Sequence, residues 1–66
     1  MAKPANPIQI NSLWLDAEGN VWKVIDKLPF GGITLLDEKR VVFSDTYQYV
    51  MRSRIEAGNL SLKAST

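Results

Sequence analysis

A chain of 66 residues with no cysteine and no histidine has little besides apolar burial to hold it in one shape. Disulfide staples and His or Cys zinc sites are excluded. Thiolate chemistry is excluded as well, and the commonest general base is missing. One domain is the upper bound at this length, and a small domain hides only a modest share of its surface. What remains is a fully used core, extended by self-association. Apolar residues make up 45% of the sequence, an ordinary share for a globular chain. The absence of cysteine fits a reducing cytoplasm, which is the expected location.

The apolar residues come in short runs broken by turn residues. Residues 1–7 hold Pro4 and Pro7, which disfavour helix and push their neighbours toward extended backbone, so this stretch reads as a flexible arm. A single small β-barrel domain is expected over 8–66. Ser12–Leu15 is a first strand. Asp16–Asn20 is a turn, with Asp16 able to accept hydrogen bonds from the backbone ahead of it. Val21–Ile25 follows, β-branched and aromatic, and the two runs read as a hairpin. Trp22 and Val24 share one face of it and are placed inside; Val21, Lys23 and Ile25 share the other. Pro29, Gly31 and Gly32 then break the ladder. Ile33–Leu36 is a third strand, Asp37–Arg40 a polar tip and Val41–Phe43 a fourth strand.

Beyond Phe43 the period changes. Tyr47, Met51 and Ile55 lie four apart, with Val50 beside them, which makes an apolar helical stripe. Asp45 is the expected N-cap, with Gln48 completing a capping box. Arg52 and Arg54 sit near the end favoured by cations, and Gly58 stands where a left-handed C′ residue belongs. Leu60 and Leu62 alternate with polar residues, as in a short fifth strand. The fold class expected is mainly β (α+β), with four to five antiparallel strands and one short amphipathic helix near the C-terminus.

The stretch "DAEGNVWKVI" followed by "GITLL" resembles the opening hairpin of small SH3-like β-barrel proteins, in which a Gly-x-x-Trp/Tyr-x-Val strand precedes an apolar third strand. The order of strands, helix and closing strand is similar too. Proteins of this layout and size occur in prophages and mobile elements. The resemblance implies a small barrel and an accessory role, and it carries no functional residue across.

Eight basic and seven acidic side chains give a net charge of +1. That balance disfavours a dedicated nucleic-acid binder, which needs cations to neutralise phosphates. No run is long or apolar enough for a membrane span. The closest carboxylate pairs, Asp37–Glu38 and Asp16 with Glu18, fall in turns and read as solvated, so no catalytic, metal-binding or cofactor-binding residue is assigned. Trp14 and Tyr47 read as core. Phe30 on the Pro-Gly loop and Tyr49 off the helical stripe read as exposed aromatics, candidates for recognition. Arg52, three residues from Tyr49, joins them. Lys39 and Arg40 are the basic pair of the polar tip. These five residues are the expected binding residues. The expected function is non-enzymatic binding of another protein, with a homodimer or larger assembly possible. A nucleic-acid-binding regulatory module is the second reading.

Overall fold

The structure, a computed structural model, describes residues 8–64. The arm expected over residues 1–7 lies outside them. Five strands and one helix follow in the order β1 (Leu13–Asp16), β2 (Val21–Lys27), β3 (Gly32–Asp37), β4 (Val42–Tyr47), α1 (Gln48–Glu56) and β5 (Leu60–Ala64). All pairings are antiparallel, in one sheet of order β4-β3-β2-β1-β5. The mainly β reading therefore holds. Among the described residues the sheet is open, with β4 and β5 as its two edges.

Side-chain alternation sorts the sheet into two faces. Trp14 pairs with Trp22 and Val24 with Leu35, and these turn inward with Ile33. Ile8, Met51 and Leu60 complete a buried core of seven residues: Ile8, Trp14, Val24, Ile33, Leu35, Met51 and Leu60. Trp22 and Ile55 pack against it, partly buried. The helix packs against both edge strands and sends Met51 into that core, so it caps the inner face where no ladder closes it.

Register shifts occur at Leu13/Trp14 in the β1–β5 ladder and at Val24/Asp26 in the β2–β3 ladder. The β3–β4 ladder runs through six pairs, from Gly32↔Tyr47 to Asp37↔Val42, with no shift. That unbroken ladder overturns two helix expectations. β4 continues to Tyr47, so Asp45 lies within a strand and accepts a hydrogen bond from Thr34 Oγ1 at 3.1 Å. The helix starts instead after Tyr47, with no side-chain cap. Pairing with β3 outweighs the local capping signal. Tyr47 is correspondingly exposed rather than core, stacked on Tyr49 with ring centroids 5.7 Å apart.

The helix stop is as the sequence implies. Gly58 has φ +79°, its N–H donates to the Ile55 carbonyl, and Asn59 N–H donates to that of Arg54. These are the paired bonds of a Schellman motif.

Candidate binding surfaces

The residues singled out from the sequence fall at opposite ends of β3. Phe30 occupies the turn Pro29–Gly31 in a left-handed conformation, φ 65°, with its side chain 100% exposed. Tyr49 is also exposed, at 72%, and Arg52 is exposed on the same helix. Phe30 lies two residues before Gly32, whose partner is Tyr47, and Tyr47 stacks on Tyr49. Lys39 and Arg40 lie beyond Asp37, at the far end of the strand. Six strand residues separate the two ends by about 17 Å at ~3.3 Å per residue. The structure therefore makes two surfaces of them within one chain.

The first surface is aromatic. On the outer face of β4, Phe43 and Tyr47 point away from the core, 61% and 52% exposed. With Tyr49 they line the free edge of the sheet. Sequence alternation carried the signal for Phe43, since Val42, Ser44 and Thr46 take the inner face. The strand had been expected to end at Phe43, which hid that row.

The second surface is polar, built where the β1–β2 and β3–β4 turns meet. Asp16 closes the first turn. Its Oδ1 accepts from the N–H groups of Asn20 (2.8 Å) and Glu18 (2.9 Å), and its Oδ2 from Trp22 Nε1 (3.0 Å). Asp37 closes the second. Its Oδ1 accepts from the N–H groups of Lys39 (3.1 Å) and Arg40 (3.3 Å), and its Oδ2 from Arg40 Nε at 2.7 Å. The Arg40 guanidinium lies over the Trp22 ring, 5.6 Å from its centre, a cation–π contact. Trp22 thus connects the two turns.

Both carboxylates were expected to be solvated, and both departures have a cause. Asp37 follows Ile33 and Leu35 on the inner face of β3 and is buried. Loss of water acts to raise its pKa, but the hydrogen bonds and charge of Arg40, with the Lys39 amide, hold it below the ordinary 3.8. Partial loss of water likewise acts to raise the pKa of Asp16, and the bonds from Trp22, Asn20 and Glu18 hold it below 3.8. Carboxylates stabilised in their charged form are poor proton donors and acceptors at neutral pH.

A groove of about 410 Å³ runs between the two turns, with Leu13, Val21 and Leu36 on it and Lys23, Lys39 and Arg40 around it. Glu38 also lines it and reaches Lys23 at 3.9 Å. Among the described residues, no group of three or more acidic side chains is placed to hold a metal ion, and no helix is long and apolar enough to cross a membrane. The chain matches no protein-family model, no curated protein and no solved structure.

Proposed function

We propose that this chain is a small non-enzymatic binding module that acts through protein–protein contacts, with its binding face along the free β4 edge. The observation that carries this reading is the clustering of exposed aromatics, Phe43, Tyr47 and Tyr49, on and beside an unpaired strand. Aromatic side chains are common interface anchors, and a free edge offers backbone groups to a partner strand. The element order supports an SH3-like small barrel, since a helix precedes a last strand that returns to pair with β1. On that resemblance the chain acts as a cytoplasmic accessory protein of a phage or mobile element.

The test is capture of partners from source-cell extract by the full chain and by a Phe43→Ser/Tyr49→Ser variant, each checked for folding by circular dichroism. Loss of a specific partner with the variant supports the reading; identical partners and yields reject it. The second reading, a nucleic-acid-binding regulatory module, is favoured by Lys23, Lys39 and Arg40 around one groove. It requires oligonucleotide affinity that falls steeply as salt rises.

A further inference from the structure

We propose that the free edge of β4 is the seam of a homodimer, in which β4 pairs antiparallel with β4 of a second copy about a two-fold axis at Phe43. This rests on the protein-binding reading and names one partner of that surface. The two edges of the sheet differ. β5 carries Lys63, and its ladder with β1 is broken by a register shift; charge and irregularity both discourage edge pairing. β4 has no lysine, arginine or proline among Val42–Tyr47, and its ladder with β3 is regular. Asp45 is the one charge on it, so a second strand can pair there only in a register that keeps the two aspartates apart.

The exposed aromatics supply a little under half of the area that a second copy would need to cover. Phe43, Tyr47 and Tyr49, at 61%, 52% and 72% exposure, leave roughly 370 Å² uncovered if each ring residue spans ~200 Å². A standard interface hides about 800 Å² per partner. Val41, Val42 and the backbone edge of the strand add to the aromatic share.

Symmetry limits the register. Two identical antiparallel strands in one sheet are related by a two-fold axis normal to it, so one residue faces its own counterpart and faces are preserved. An axis at Asp45 would set two carboxylates opposite each other, which is destabilising. An axis at Ser44 would set Phe43 opposite an aspartate. An axis at Phe43 pairs two aromatic rings, a favourable cross-strand contact, and leaves Asp45 near the margin. It also brings the Lys39–Arg40 turn of each copy toward the stacked Tyr47 and Tyr49 of the other, cations against aromatic faces. The two groups of residues separated within one chain thereby meet across the seam.

The absence of native cysteine makes the test clean. Sedimentation equilibrium of the full chain at micromolar concentration is expected to give twice the 7.4 kDa chain mass, and Phe43→Lys to give a folded monomer. Under mild oxidation Phe43→Cys is expected to crosslink with itself, since opposed Cα atoms about 4.5–5.5 Å apart suit a disulfide. Asp45→Cys, offset by four strand positions or about 13 Å, is expected not to. A 7.4 kDa species throughout, or crosslinking at Asp45 in preference to Phe43, overturns the proposal. If the wild type is monomeric yet Phe43→Lys still loses a captured partner, the dimer fails while the binding-module reading stands.

Discussion

Asp16 and Asp37 each close a hairpin with a carboxylate held in its charged form. Because both folded pKa values are depressed, the two groups contribute stability above about pH 3.8, their ordinary value. That contribution is lost as pH falls through the folded values. Arg40→Gln removes the side-chain donor to Asp37, so its expected effect is a lower melting temperature near pH 7. The difference between variant and wild type should shrink as pH falls through the folded value of Asp37 and the carboxylate takes up its proton. Melting curves across an acid pH series decide it; a constant difference would show that Arg40 acts only through Trp22. Trp14 makes a different kind of contribution. It is 1% exposed and its Nε1 donates to Ser12 Oγ at 3.0 Å. Trp14→Ala should cost about 3–5 kcal/mol, a large part of a small domain's total, and leave an unfolded or barely folded chain by urea titration. Trp22→Ala is expected to be similarly severe, because it removes core packing, the Asp16 bond and the Arg40 contact together.

At the level of elements, turns and the helix stop set the backbone demands. Gly58 adopts φ +79°, so Gly58→Ala forces a Cβ into the left-handed region and should lower stability by about 1 kcal/mol. Val41 presents the reverse case. It is β-branched, 71% exposed and left-handed at φ 55°, a rare and strained combination. Val41→Gly removes that strain at little packing loss and should raise stability by about 0.5–1 kcal/mol, after glycine's entropic cost. Urea midpoints of both variants against wild type check the pair. All five strands, the first turn and the helix stop were legible in the sequence, because alternation, Asp16–Gly19 and Gly58 act locally. The helix start was not. Asp45 carries a genuine capping pattern, but the pairing of Thr34 with Asp45 and of Gly32 with Tyr47 is a long-range fact.

For the molecule as a whole, one open sheet is sealed by a helix rather than by a closing ladder. Met51 is the side chain through which the helix does this, and it is fully buried. Met51→Ala should leave a cavity costing about 2–5 kcal/mol, read as a lower urea midpoint. An unchanged midpoint would mean that α1 is dispensable to the core. The exposed aromatics Phe30 and Tyr49 were legible because loop position and helical phase report exposure directly. The polar network was not. The parity of Asp37 with Ile33 and Leu35 did mark it as inward, but its place beside a turn argued for solvent. Nothing local could show that Arg40 would settle on Trp22, since 18 positions separate them.

The Trp14↔Trp22 pairing gives the molecule an optical signature. Two indoles held directly across an antiparallel ladder couple their electronic transitions, so the folded chain should show a paired positive and negative band in its far-ultraviolet circular dichroism. A one-residue slip between β1 and β2 would send the rings to opposite faces and weaken that couplet while strand content stayed the same. The chain thus reports its own strand register without any added label, and Trp14→Phe or Trp22→Phe should each extinguish the signal.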